Sequence, residues 1–216
     1  GAMDATLWYA DSDGDGYGDN WGDPEWNDTM EGTNPNGRWV ENAQLVDWCP
    51  LDYGTSHYDR QGCPDLDGDG WSDVNDVFSR DSTQWNDTDN DGFGDNISGL
   101  RGDACPYNYG TSTRGLWGCQ DSDGDGWADE MDAYPGEISQ WNDTDGDGYG
   151  DSIVGLNGDA CPFVAGTSYE DRRGCLDSDN DGWSDEGDAF PNESSQHSDR
   201  DEDGYGDNQS EGANQP

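Results

Sequence analysis

The sequence has no lysine, only two histidines and no apolar run long enough to span a bilayer. Leu, Ile, Val and Phe together make up 21 of the 216 residues. At a net charge of −43, so small an apolar fraction excludes a conventional oily core. Ordering a chain costs about 1.5 kcal/mol per residue, and these few side chains cannot offset that. Eight basic residues against 51 acidic ones exclude nucleic acid and anionic lipid as partners. The absence of Cys-x-x-Cys and of repeated His argues against zinc. His57 and His197 have no counterparts between repeats and no Ser has a base in register, so the chain reads as not an enzyme. No signal peptide opens it. Gly1-Ala2-Met3 reads as an expression scar, so the natural start and any export signal are expected to have been trimmed.

What is abundant is aspartate, with 41 Asp against 10 Glu, whereas a merely soluble surface would mix both acids with lysine. The Asp are strictly phased. The string Asp-x-Asp-x-Asp-Gly-x-x-Asp occurs seven times, at spacings of 54, 22, 34, 22, 34 and 22 residues. Its first acids are Asp11, Asp65, Asp87, Asp121, Asp143, Asp177 and Asp199. Its third are Asp13, Asp67, Asp89, Asp123, Asp145, Asp179 and Asp201, and its fifth are Asp15, Asp69, Asp91, Asp125, Asp147, Asp181 and Asp203. Its ninth are Asp19, Asp73, Asp95, Asp129, Asp151, Asp185 and Asp207. Two kinds of loop alternate. Tyrosine-type loops carry Tyr17, Phe93, Tyr149 or Tyr205 in seventh place followed by Gly, and tryptophan-type loops carry Trp71, Trp127 or Trp183 there.

Carboxylates on alternate residues of a turn repel one another unless a cation lies between them. Oxygen ligands at positions one, three and five, a Gly at six and a backbone carbonyl at seven match the front half of an EF-hand calcium loop. In such a loop the twelfth residue closes the coordination sphere. The tryptophan-type loops place Asp76, Asp132 and Asp188 there, whereas the tyrosine-type loops have Gly22, Ser98, Val154 and Ser210. Their closing acid must come from further along. Asp103 and Asp159 are candidates, each two residues before a Cys, and Asp47 stands likewise before Cys49. The ninth-position acids are expected to bind through water or to share a second ion. The count is therefore seven calcium ions at least, or double that, with magnesium the less suited competitor because of its strict octahedral demand.

Six cysteines keep the same beat as Cys49 and Cys63, Cys105 and Cys119, and Cys161 and Cys175, each pair 14 residues apart. One pair per period makes local pairing the economical choice among the 15 possible connectivities. Each bridge would contribute about 3 kcal/mol on the chain-entropy account. Disulfides imply an oxidising compartment, so the chain is expected to be extracellular or at a cell surface.

The full pattern, as in Asp121-Ser-Asp-Gly-Asp-Gly-Trp-Ala-Asp-Glu-Met-Asp132, resembles the thrombospondin type 3 repeat, and the match recurs across residues 11–207. That resemblance implies chain wound around aligned calcium ions with little regular secondary structure, pinned by disulfides, in a secreted or surface protein. The Cys pairs here lie outside the loops, and Gly-Thr-Ser recurs inside them at Gly54, Gly110 and Gly166, which departs from the family pattern. Dockerins also pair calcium loops, but the segments after these loops are too short and Pro-broken for their helices. At most a helical turn near 129–132 and a short strand at 7–10 are expected.

The expected fold is thus mostly irregular, a calcium-stabilised, disulfide-pinned, elongated tandem repeat of EF-hand-like Asp loops. Its modules are residues 4–82 with a 20-residue insertion, 83–138, 139–194 and the start of a fourth at 195–216. Within the insertion, Glu25-Trp26-Asn27-Asp28-Thr29 echoes the approach to the other loops, yet Met30 and Gly32 replace acids, so no ion is expected there. The function expected is a spacer or stalk within a larger exported, adhesin-like protein. The alternative is a calcium-dependent module that holds glycan or protein on exposed Trp and Tyr. Arg101-Gly102-Asp103 spells an integrin-recognition tripeptide, but the next repeat reads Asn157-Gly158-Asp159, so a structural use of Asp103 is favoured. Glycosylation sequons occur at Asn27, Asn86, Asn96, Asn142, Asn192 and Asn208.

Overall fold

Leu7–Ala10 is rich in large side chains that favour strands and forms β1, as its sequence predicts. Its two neighbours come from the insertion. β2 (Thr29–Glu31) and β3 (Trp39–Val40) flank it in the order β2-β1-β3. Both pairings are antiparallel, with Trp8 opposite Met30 and Tyr9 opposite Val40. The insertion therefore supplies strands rather than a bare connection. This computed structural model describes residues 7–19, 29–31, 39–40 and 46–207. The expected scar, Gly22, the Asn27-Asp28 part of the lapsed loop, the Asn208 sequon and Ser210 lie outside those residues.

Beyond Val40 the described residues contain no helix and no further strand. The turn foreseen at 129–132 is a single hydrogen bond, from the Met131 N–H to the Ala128 carbonyl. What orders this region is the set of left-handed positions in each loop. The fourth residue has positive φ in all seven, as glycine at Gly14, Gly68, Gly124 and Gly146, as Asn90 and Asn180, and as Glu202. Glycine and asparagine tolerate that conformation best.

The interior is polar. Among the described residues the buried apolar side chains are Tyr9, Cys63, Cys119, Ala128 and Cys175, whereas sixteen polar ones are buried, eight of them Asp. Disulfides join Cys49 to Cys63 and Cys161 to Cys175. Cys105 and Cys119 are also disulfide-bonded, and no thiol is free. The chain divides into two compact units, Gly1–Tyr109 and Gly110–Pro216.

Each disulfide loop is built around a buried serine. Ser168 Oγ donates to the carbonyls of Arg172 and Cys175 and accepts from the Cys175 N–H at 3.0 Å. Ser56 does the same with Arg60 and Cys63. The preceding glycine of the Gly-Thr-Ser triplet is required because a Cβ at Gly54 or Gly166 would overlap the backbone of the second cysteine. Buried Gln84 serves the segment after a tyrosine-type loop. Its Nε2 donates to the carbonyls of Asn96 and Leu100, and its Oε1 accepts from the Asn96 N–H at 3.0 Å. Gln140 repeats this with Ser152 and Leu156. The amide of each Gln lies where a Cβ on Gly94 or Gly150 would go, which explains glycine in eighth place.

Candidate metal centres

In each loop the backbone folds over the first carboxylate. Asp65 Oδ1 accepts from the Gly68 N–H at 2.8 Å and Oδ2 from the Gly70 N–H at 3.0 Å. Asp121 holds Gly124 and Gly126 at the same two distances. The third and fifth acids each spend one oxygen on the loop. Asp67 Oδ1 takes the Asp69 N–H and Asp69 Oδ1 takes the Trp71 N–H. The seventh-position N–H bonds the fifth acid at Tyr17, Phe93, Trp127, Tyr149, Trp183 and Tyr205 as well. Among the described residues, no backbone–backbone hydrogen bond ends on the carbonyl of Tyr17, Trp71, Trp127, Tyr149, Trp183 or Tyr205.

Among the described residues, seven groups of acids offer ligand oxygens within 4.8 Å of one another, including Asp11-Asp13-Asp15, Asp65-Asp67-Asp69, Asp87-Asp89-Asp91, Asp121-Asp123-Asp125 and Asp143-Asp145-Asp147. These Asp clusters could hold metal ions. The second oxygens of the third acids are the telling atoms. Oδ2 of Asp13, Asp67, Asp89, Asp123, Asp145 and Asp179 is buried with no hydrogen-bond partner, as is Oδ2 of the fifth acids Asp69 and Asp125. An unsatisfied buried carboxylate oxygen costs more than a neutral polar group, and here several face one another. Hard oxygen donors in such a set fit calcium and leave nothing for a soft metal.

The twelfth-position acids join these clusters through local turns. Asp76 and Asp188 donate their N–H groups to Ser72 and Ser184, and their Oδ1 atoms accept from Phe78 and Phe190 at 2.6 Å. Asp132 Oδ1 takes the Tyr134 N–H likewise. Burial pushes the Asp76 carboxyl up to about 6, with Asp69, Asp67 and Asp73 adding repulsion against the Phe78 N–H. Asp132 and Asp188 are raised for the same reasons.

The remote acids are brought to the tyrosine-type loops. Asp47 is fully buried, its N–H bonds the Gly18 carbonyl at 2.9 Å, and its Oδ2 has no partner. Burial, reinforced by Asp15, Asp13 and Asp19, lifts its carboxyl to about 7. Asp103 stands against Asp91, Asp89 and Asp87, and burial with their charge raises it to about 6. Asp159 meets Asp147, Asp145 and Asp151 and is raised by burial first and by those charges. Asp103 and Asp159 are each 1 % exposed, with Oδ2 unpartnered. Because Asp103 is buried, the Arg-Gly-Asp tripeptide does not present its acid. Asp13 also rises to about 6, through burial and then Asp15.

The ninth acids are hydrogen-bonded across their own loops. Asp95 accepts the Thr88 N–H and Oγ1 and the Asn86 Nδ2, and Asp151 accepts from Thr144 and Asn142 in the same way. Burial raises both carboxyls, but these bonds outweigh it and leave them below the usual range. Asp19, Asp129 and Asp185 clasp Ser12, Ser122 and Ser178 by N–H and hydroxyl, while Asp73 and Asp207 take the N–H of Leu66 and Arg200. They staple the two ends of the loop together. The sequon amides of Asn86 and Asn142 are the donors in these clasps, and Asn96 Nδ2 donates to Thr83.

Sequence reasoning missed one pair. Asp59 accepts the Ser72 N–H, the Ser72 Oγ and the Asn75 Nδ2 at 2.9, 2.6 and 2.7 Å, and Asp171 holds Ser184 by N–H and hydroxyl. The equivalent residues of the middle module are Gly115 and Ala128. Acid and hydroxyl are lost together there, a signal readable once the repeats are aligned. Aromatic rings stack beside the loops, with Trp71 6.4 Å from Trp85 and Trp183 4.5 Å from His197. His197 thus occupies the place of Trp85 and Trp141. A scan against protein-family models finds no match, and a search of curated proteins finds none.

Proposed function

We propose that the chain is a calcium-binding structural segment, a thrombospondin type 3-like spacer or stalk of a larger exported surface protein. In it, bound cations do the work of an apolar core. The observation that carries this reading is the set of buried, unpartnered carboxylate oxygens shared by the third, fifth and closing acids. The first, third and fifth Asp, the seventh carbonyl and the closing acid would hold one calcium ion per loop. Asp76, Asp132 and Asp188 would close the tryptophan-type sites, and Asp47, Asp103 and Asp159 three of the tyrosine-type sites. The cation supplies positive charge that cancels the mutual repulsion of these carboxylates. The chain's own residues position them and keep water out. Extracellular modules of this kind bind with Kd of about 10⁻⁴ to 10⁻³ M, matched to calcium outside cells.

Calorimetric titration of EDTA-dialysed protein, read beside circular dichroism, tests this. About seven calcium ions should bind with a gain of order, and magnesium should compete poorly. A chain that stays compact after exhaustive chelation would overturn the reading. The glycan- or protein-binding alternative has its own observation. The segments after the first cysteines expose Tyr53, Tyr107 and Phe163, the last two at 79 %, and exposed aromatic rings are the usual platform for sugars. A glycan array with and without calcium separates the two readings.

A further inference from the structure

The two loop types close in different ways, and the difference runs through the disulfides. In a tryptophan-type loop the closing acid is a near neighbour. Asp188 is tied to Ser184 and Phe190, all within seven residues of one another. In a tyrosine-type loop the closing acid arrives on a separate segment and is walled in by both arms of a disulfide loop. Asp159 Oδ1 accepts the Cys161 N–H at 2.7 Å. On the other arm the Arg173 carbonyl takes the Ala160 N–H at 2.8 Å, and Gly174 lies so close that a Cβ there would overlap the Asp159 carboxylate. The fifth acid of the ion loop reaches the same disulfide loop, with Asp147 Oδ2 accepting the Gly166 N–H at 2.9 Å.

The first module repeats every contact. Asp47 Oδ1 accepts the Cys49 N–H at 2.7 Å, the Trp48 N–H bonds the Gln61 carbonyl at 2.9 Å, Gly62 abuts the Asp47 carboxylate, and Asp15 Oδ2 takes the Gly54 N–H. In both modules the bridge ties the second arm, Gln61-Gly62-Cys63 or Arg173-Gly174-Cys175, to the arm that carries the acid. Without that wall the acid loses its burial and its fixed direction, while Asp76 and Asp188 sit in turns closed by bonds of their own. Asp59 and Asp171 reach Ser72 and Ser184 from the same disulfide loops but bond no closing acid, and the middle module keeps its frame without that grip.

We infer that Cys49–Cys63 and Cys161–Cys175 position the closing ligands of the tyrosine-type sites and that the tryptophan-type sites do not depend on them. The array then holds two classes of calcium site, one conditional on the disulfide and one not. This rests on the calcium reading above and divides it into parts that fail separately. A dithiol reductant would act on one class alone. It gives two electrons and two protons to the Cys161–Cys175 bond, which becomes two thiols while the dithiol closes to its own disulfide.

The test is calcium titration of the full chain against Cys161→Ser/Cys175→Ser, with terbium luminescence as the second readout. The seventh-position aromatic of the neighbouring loop is Trp183, whereas Tyr149 and Trp141 both lie by the affected one, so the part of the emission that Trp183→Phe removes reports the tryptophan-type site alone. The double variant should bind one ion fewer, or bind it at least tenfold more weakly, with the Trp183-dependent emission unchanged. Asp159→Asn, with the bridge intact, should give the same deficit, and Gly174→Ala should weaken the same site by pushing on its acid. If the double variant keeps the full ion count at unchanged affinity, or loses the Trp183 site along with the Tyr149 site, the inference is overturned. If wild type binds no calcium at all, the functional reading itself has failed.

Discussion

The tryptophan-type loops at Asp65 and Asp121 carry the same ion-facing frame on different supports. Their first acids hold the fourth and sixth N–H groups at 2.8 and 3.0 Å in both, and their closing acids accept at 2.6 Å in both. Behind the frame they diverge. Asp59 grips Ser72 and Asn75 in the first, whereas Gly115 and Ala128 leave that space to an indole in the second. There a Cβ on Gly115 would touch the Trp127 ring at 3.3 Å. The lesson is that ligand geometry is fixed by the first acid and the left-handed fourth residue. The surrounding polar contacts are exchangeable, provided that both partners change.

Removing the cation should have the largest effect, and it tests whether the support matters at all. With calcium bound, amide exchange should be slow in both loops. In EDTA it should become fast in both, since metal binding supplies the folding free energy. Protection retained at Asp65–Asp76 alone would mean that the Asp59 grip suffices without an ion. Next, Asp76→Asn and Asp132→Asn should each empty their own loop. Loss of a metal belongs with the mechanisms that cost more than about 4 kcal/mol, so calorimetry should show one ion fewer in either variant. A deficit in one loop only would show that its support substitutes for the twelfth ligand.

The pH dependence should reverse sign with the ion. In the ion-free fold Asp76 sits at about 6 against 3.8 unfolded, and Asp47 at about 7. A group raised on folding contributes stability that is complete below its unfolded value and is lost as pH rises through its folded value. Ion-free protein should therefore weaken between about pH 4 and pH 7. With saturating calcium the ligands must be deprotonated, so stability should rise over the same interval. Residual order by circular dichroism in EDTA and thermal melts in calcium, both at stepped pH, check this, and trends running in parallel would refute it. The smallest effect sharpens the contrast of supports. Ser72→Ala strips two bonds from Asp59 and should cost about 1–3 kcal/mol. Asp59→Gly/Ser72→Ala recreates the middle module and should recover most of that, a coupling of about 0.5–3 kcal/mol in a double-mutant cycle. Additive losses would disprove exchangeability.

Much of this architecture is legible in the residues because it is local. Four acids and a glycine at fixed spacing dictate their own turn, one cysteine pair per period dictates its own bridge, and Leu7–Ala10 centres on the strand formers Trp8 and Tyr9. The insertion hid its strands because β2 and β3 are only three and two residues long, too short for alternation to register, and their order depends on β1. The ninth acids have a second use that the motif does not announce. An Asp in a metal motif looks like a ligand, and only the geometry reveals that it also accepts the N–H of the loop's second residue. Asp59 escaped notice because it lies outside the loop motif, 13 residues before its partner Ser72. Gln84 and Gln140 recur visibly, but a buried amide that reads backbone carbonyls leaves no compositional mark.

The glycine amides of the loops have a chemical consequence. Asp–Gly is the bond at which polypeptides age, because the glycine nitrogen attacks the preceding side-chain carbonyl and the resulting succinimide reopens as isoaspartate. This chain is full of such pairs, yet in the folded loop the Gly14 and Gly16 N–H groups both donate to Asp11. A turn that demands its most perishable dipeptides thus also occupies the nitrogens through which they would react.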